Sequence, residues 1–287
     1  MVQHTTQMKD KVCLITGATL GIGQVTAQAL AAQGATVVII ARSQTKAEAT
    51  VQQIKSATGN NLVSYLLADL SSLAAVRKVA QDFKSKFSRL DVFINNAGAI
   101  NWGRTVTTDG FETTFGVNHL APFVLTHELI DVIKASAPSR IINVSSSASR
   151  GGLIDFDDLQ GEKKYTAMKA YSQSKLANIL FSVGLAKRLQ GTGVTANALH
   201  PGFVSTGFAK NNGPIFRVAM AALSIIALTP EKGAETSIYL ATAPEVATIT
   251  GQYFIKKQIA EPNAAAKDDA TIEHLWTMSE QLTGVSW

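Results

Sequence analysis

Short runs rich in β-branched and other apolar residues recur along this chain, and between them lie longer stretches whose apolar positions repeat at helical spacing. The runs are Val12–Thr16, Thr36–Ala41, Leu62–Ala68, Val92–Asn95, Arg140–Ser145, Val194–Leu199 and Gln252–Ile255. Several are apolar throughout instead of alternating, as strands covered on both faces are. The stretches Ile22–Gln33, Thr45–Thr58, Leu73–Phe87, Gly110–Ala135, Ala167–Leu189 and Pro230–Leu240 read as helices. Val25, Ala29 and Ala32 share one helical face, and Val76, Val79, Ala80 and Phe83 another. This alternation predicts an α/β fold, doubly wound, with about seven mostly parallel strands and helices on both faces of the sheet.

No low-complexity linker divides the 287 residues and no repeat of fixed period is visible, so one domain is expected over 1–287. A flexible stretch over 1–10 begins it, and a C-terminal extension over about 260–287 ends it. Within that extension Ala260–Ala270 reads as a surface connection leading to a last helix around Ile272–Leu282. The apolar share of 46% against 16% charged residues excludes a disordered chain. The net charge of +5 comes from scattered Lys and Arg, so no nucleic-acid partner is expected. A single cysteine, Cys13, leaves no internal disulfide and fits a reducing compartment. His119, His127, His200 and His274 lack ligand spacing, so no metal is expected. The first ten residues lack the apolar core of a signal peptide. Pro214–Thr229 carries Arg217 and falls short of the ~20 residues a membrane helix needs. A cytoplasmic protein without a transmembrane segment is expected.

Directly after the first run stands Thr16-Gly17-Ala18-Thr19-Leu20-Gly21-Ile22-Gly23, opening into a helical pattern. Glycines there permit a tight turn and close backbone approach, and the free N–H groups of the helix that follows favour a phosphate. A cofactor with a free ribose 2′-hydroxyl calls for an Asp or Glu about twenty residues further on. The second run ends instead at Ala41-Arg42-Ser43, where the Arg42 guanidinium is placed to meet a 2′-phosphate, which favours NADP(H) over NAD(H). Asp69, followed by Leu70, is a candidate partner for an adenine amino group, or else an N-cap or turn residue; the two roles are compatible.

The fourth run leads into Asn95-Asn96-Ala97-Gly98 at the sheet's carboxyl end, where open α/β folds bind ligands. Asn118 follows, then Ser145-Ser146-Ser147, then Tyr171-Ser172-Gln173-Ser174-Lys175, whose Tyr and Lys share a helix face at i, i+4. An ammonium beside a phenol stabilises the phenolate.

Taken together, TGATLGIG, the NNAG segment, Asn118, Asn143–Ser146, Tyr171-x-x-x-Lys175 and Pro201-Gly202-Phe203-Val204-Ser205-Thr206 resemble the short-chain dehydrogenase/reductase family over the whole length. Phe156-Asp157-Asp158-Leu159-Gln160, the Leu185–Val194 segment, His200-Pro201-Gly202 and Leu275 to Gly284 are similar to its retinol-dehydrogenase-like branch. The resemblance implies a Rossmann fold. It makes Tyr171 the acid/base, Ser146 the group that orients the substrate oxygen, and Lys175 the group that lowers the Tyr171 pKa and holds the nicotinamide ribose. Asn118 would anchor a water leading protons to Lys175. Gly17, Thr19, Leu20, Gly21, Ile22, Arg42, Asp69, Leu70, Asn95, Ala97, Gly98, Pro201, Gly202, Val204 and Thr206 would line the cofactor.

Positions of about 205–229 are expected to form a lid: the apolar residues from Ile215 to Ile226 fit a flap over a lipophilic substrate, or equally an amphipathic helix on the core or on a partner. The expected activity is NADP(H)-dependent interconversion of an alcohol and a ketone or aldehyde, with a small lipophilic substrate. Carbon–carbon double-bond reduction and a noncatalytic nucleotide sensor are the alternatives, and a homodimer or homotetramer is the family's usual assembly.

Overall fold

A computed structural model of the chain describes residues 7–202 and 228–287. Its strands are β1 Val12–Thr16, β2 Thr36–Ala41, β3 Val63–Leu67, β4 Val92–Asn95, β5 Ser139–Val144, β6 Val194–His200, β7 Tyr253–Ile255 and β8 Gln258–Ile259. They form one eight-stranded sheet in the order β3-β2-β1-β4-β5-β6-β7-β8. The first seven run parallel, and β8 turns back antiparallel to β7. The strand order reverses between β1 and β4, the point at which an open sheet of this kind leaves a crevice at its carboxyl edge.

Beyond a single helical turn at Thr113–Phe115, the α-helices of the described residues are α1 Gly21–Ala32, α2 Gln44–Thr58, α3 Leu73–Lys86, α4 Ala121–Ala135, α5 Ala167–Arg188, α6 Pro230–Thr242 and α7 Asp269–Thr283. Successive strand residues point to opposite faces, so each strand feeds two cores. Leu14, Val38, Ile40, Phe93 and Ile141 pack with Phe83 of α3, Phe123 of α4 and Phe181 of α5. Cys13, Ile15, Val37, Ile39 and Ile94 pack on the other side with Leu30 of α1, Ile54 of α2 and Leu240 of α6. Fully burying one such side chain contributes roughly 1.5–3 kcal/mol. A third cluster joins Leu176 and Leu180 of α5 to Ile272 and Leu275 of α7.

Four expectations change. Residues 7–10 are held in place: Met8 is buried and its N–H donates to the Gln33 carbonyl at 3.1 Å. Helix α1 buries Thr26, Ala27, Leu30 and Ala31 instead of the face through Val25, Ala29 and Ala32. The alanines of this helix fall on both sides, Ala27 and Ala31 buried and Ala29 and Ala32 half-buried, so their pattern does not choose a face. The helix expected from Gly110 starts later, because Val106 and Glu112 pair as an isolated antiparallel bridge, and a π turn over Gly116–Leu120 precedes α4. Ala260–Ala270 is no plain surface connection, since Ala266 enters the third cluster. No helix among the described residues is long and apolar enough to cross a membrane.

Candidate active site

The turn between β1 and α1 is shaped by its neighbours. Gly17 has φ +66°, and a Cβ there would stand 2.8 Å from the Ala97 Cα. Only glycine lets the end of β1 lie this close to the loop after β4. Asn96 fastens the two loops: its Nδ2 donates to the carbonyls of Thr16 and Gly17 at 2.9 and 3.0 Å. The Thr16 hydroxyl accepts the N–H groups of Asn96 and Ala97, each at 3.0 Å.

Helices α2, α3, α5, α6 and α7 each begin with a Ser, Thr or Asp side chain accepting a backbone N–H. Helix α1 does not. Its N-cap is Leu20, with no side-chain cap and no acidic residue in the first turn. Among the described residues no side-chain oxygen caps the first N–H groups of α1, which suits a phosphate. Thr19 and Ile22 flank that helix end, half-buried, beside the positive-φ Gly21.

Arg42 lies exposed just beyond β2, with no hydrogen bond or ion pair to any other described residue. Asp69 forms a turn: its Oδ1 accepts the Ser71 N–H at 3.0 Å and the Ser71 hydroxyl at 2.8 Å, while Ser72 caps α3. Leu70 packs against the first core. The Asn95 side chain is buried between the layers and donates to Asn143 Oδ1 at 2.9 Å.

Helix α5 carries the rest. Gln173, Ser174, Lys175, Asn178 and Ser182 are all buried on it, an unusual density of polar groups for a core helix. Each has a partner among the described residues: Gln173 donates to the Leu159 carbonyl, Ser174 to the Tyr171 carbonyl, Lys175 and Asn178 to the Val144 carbonyl, and Ser182 to the Asn178 carbonyl. The serines after β5 divide their work. Ser145 is buried and its hydroxyl donates to the Lys175 carbonyl at 2.6 Å, locking the strand end to α5. Ser146 faces Tyr171, and a hydrogen bond between the two side chains favours the phenolate. The Ser147 N–H donates to His200 Nδ1 at 3.1 Å, which makes His200, at the end of β6, a strand-end residue that also supports this turn. Burial pushes the His200 ring down to about 4, so it accepts that bond as a neutral imidazole.

Burial pushes the Tyr171 phenol up to about 12, and the Ser146 hydrogen bond only partly offsets it. Lys175 Nζ donates to the Val144 carbonyl at 2.9 Å and lies 5.8 Å from the Tyr171 ring centroid; burial takes its pKa down to about 8. Burial is the largest influence on both groups, and the Lys175 ammonium is turned to the strand. Asn118 braces the same end of α5. In the π turn its Oδ1 accepts the Ala99 N–H at 2.6 Å, and its Nδ2 donates to the Ala99 carbonyl and Ser174 Oγ, both at 2.9 Å. That side chain joins the loop after β4 to α5, with both amide protons used.

Ala97, Gly98, Pro201 and Gly202 lie half-buried at the same edge of the sheet. Val204, Thr206, Phe203 and the stretch of the expected lid up to position 227 lie outside the described residues. Sequence reasoning missed Thr16, Asn96 and Ser174, although all three stand inside motifs already singled out. Their signal was position, a polar residue between the motif's named members.

A family model described as short chain dehydrogenase matches residues 11–214. Retinol dehydrogenase 12 of Mus musculus is 42% identical over 281 residues, spanning 98% of this chain and 89% of that protein. Retinol dehydrogenase 13 of Homo sapiens is 42% identical over 288 residues, spanning 96% and 85%. Among solved structures, an uncharacterized protein of Mycobacterium paratuberculosis superposes with a TM-score of 0.79 at 32% identity, covering 98% of each chain. The NADP complex of RhlG from Pseudomonas aeruginosa superposes at 0.70 with 30% identity, covering 88% of this chain and 97% of that one. A family match over most of the chain, relatives above 40% identity and the shared fold agree: this chain belongs to the short-chain dehydrogenase family of oxidoreductases, in its retinol-dehydrogenase-like part.

Proposed function

We propose that this chain interconverts a lipophilic alcohol and its ketone or aldehyde with NADP(H), using Tyr171 as acid/base. The observation that carries the reading is the meeting of Ser146, at the carboxyl end of β5, with Tyr171 on α5, while buried Lys175 stands one turn along the same helix. The turn Gly17–Ile22 and the bare start of α1 fit the pyrophosphate, and unengaged Arg42 fits a 2′-phosphate. The nicotinamide, when bound, supplies or accepts the hydride. Two similar structures, from Pseudomonas aeruginosa and Beutenbergia cavernae, hold NADP, which supports the same cofactor here.

In the direction of reduction, Ser146 Oγ donates to the substrate oxygen and orients it. A phenol at about 12 is protonated at neutral pH, so Tyr171 is ready to deliver its proton to that oxygen; in oxidation it takes the proton back. Lys175 holds the nicotinamide ribose, and its charge favours the phenolate left after transfer. Asn118 positions α5 against the loop after β4. Retinol in the names of the relatives supports a lipophilic substrate. The fully buried Cys13, its thiol pushed up by burial, fits a reducing cytoplasmic compartment.

The test is turnover of retinal, decanal, acetophenone and an enone with NADPH and, in parallel, NADH. We expect alcohol products from the apolar carbonyls, formed faster with NADPH. An enone reduced at its double bond with the carbonyl left intact contradicts the reaction class, and equal rates with NADH contradict the cofactor choice.

A further inference from the structure

Ser146 begins a loop whose start is held by the Ser147 N–H donating to His200 Nδ1 at 3.1 Å and the Ala148 N–H donating to Ser146 Oγ at 3.2 Å. A short 3₁₀ turn, Ser147–Gly151, follows, and of its neighbours Arg150 is exposed and Leu153 is 78% exposed. The carbonyls of Ser149, Arg150 and Gly152 converge on one point, as carbonyls at the end of a helical turn do when nothing continues the helix. At that point stands the amide of Asn263, whose Nδ2 lies 3.1, 3.0 and 3.0 Å from the three oxygens.

Asn263 is itself fixed. Its Oδ1 accepts the Ala265 N–H at 2.9 Å and caps a second 3₁₀ turn, Ala264–Lys267. Ala260 N donates to the Tyr253 carbonyl at 2.8 Å, and Ala266 is buried with Leu159 and Leu176. On the other side of the loop, Ser149 reaches back to Ser146: its N–H and its hydroxyl both donate to the Ser146 carbonyl, at 3.1 and 2.6 Å. The loop also passes tightly by α5, since a Cβ on Gly152 would stand 2.7 Å from the Ser172 carbonyl, next to Tyr171. One chain of hydrogen bonds therefore runs from the C-terminal segment through Ser149 to the residue that faces Tyr171.

We propose that Asn263 is a positioning residue, whose amide clamps the Ser149–Gly152 carbonyls and so sets Ser146 against Tyr171. The inference rests on the proposed role of Ser146. A misplacement of about 1 Å at a reacting group can cost on the order of a hundredfold in rate, so a clamp of this kind reads out in turnover before it reads out in folding.

Two substitutions separate the clamp from the cap. Asn263→Ser keeps an oxygen able to cap Ala265 but removes the amide donors; Asn263→Ala removes both. We expect both to lower kcat for retinal reduction by roughly tenfold or more, with KM for NADPH unchanged. We expect hydrogen exchange over 147–152 to speed up equally in both variants, measured without substrate or cofactor. Combined with Ser146→Ala, the Asn263→Ser change should cost nothing further, because the two act through one group. Wild-type kcat and wild-type exchange in Asn263→Ser, with Ser146→Ala inactive, overturn the role of Asn263 alone. So do losses that multiply in the double variant. Full turnover in Ser146→Ala overturns the assignment of Ser146 beneath it.

Discussion

Arg42 is exposed and unengaged with other described residues, and a charged residue left so at the end of β2 is available to a phosphate. A charge-assisted hydrogen bond contributes about 1.5–3 kcal/mol, so Arg42→Ala should weaken NADPH binding on the order of ten- to a hundredfold while leaving NADH little changed. Titration of the cofactor's fluorescence checks this, and equal losses for both cofactors would refute it. Lys175 tells a different story, because its burial works against its own charge. Its folded-state pKa, about 8, lies below the ordinary 10.5, so the folded form binds fewer protons between those values. The cost to stability is fully present below about pH 8 and fades as pH rises toward 10.5. Lys175→Met should consequently abolish turnover yet match or exceed the wild-type Tm at pH 7. The Val144 carbonyl keeps Asn178 as a partner in that variant. A Tm several degrees lower would show that the ammonium contributes to the fold.

At the level of elements, the glycine turn is where geometry leaves least room. Gly17→Ala must place a Cβ against Ala97 and hold a positive φ, so it should destabilise the chain by about 1–3 kcal/mol and weaken cofactor binding together. Chemical denaturation with and without NADPH checks both effects, and wild-type behaviour in both contradicts this account of the turn. Such turns were legible because motif and strand end coincide, and β1, β2 and β4 have the bounds their apolar runs predict. Other elements were hidden for physical reasons. The β7–β8 hairpin turns at Lys256 and Lys257, both at positive φ, where no glycine or asparagine advertises the turn. The π turn at Asn118 is invisible because its residues keep helical spacing before and after it. Asn263 escaped because its partners are three backbone carbonyls more than a hundred positions away, which no local pattern encodes.

The whole molecule carries histidines that must stay neutral. His119 is buried, bonded to Ser279 at 2.8 Å, and held down to about 3 by desolvation; His200 is held to about 4. Below the ordinary 6.5 the unfolded chain takes up these protons while the fold refuses them, so stability falls as pH drops through that window. Asp91 acts in the same direction at lower pH: burial opposes its charge, but Arg89, the Val12 N–H and Lys11 outweigh it and hold the carboxyl below its usual range. The urea midpoint should be lower at pH 5 than at pH 7, and equal midpoints would contradict the neutral state of these rings. The proposed activity draws on the same elements, since the loop after β5 carries Ser146, α5 carries Tyr171 and Lys175, and the strand order leaves a crevice between β1 and β4. The most direct test compares the wild type with Tyr171→Phe in NADPH-dependent retinal reduction, alongside NADPH affinity for each. Loss of turnover with cofactor affinity nearly intact is the predicted result, and full turnover in the phenylalanine variant would contradict Tyr171 as the acid.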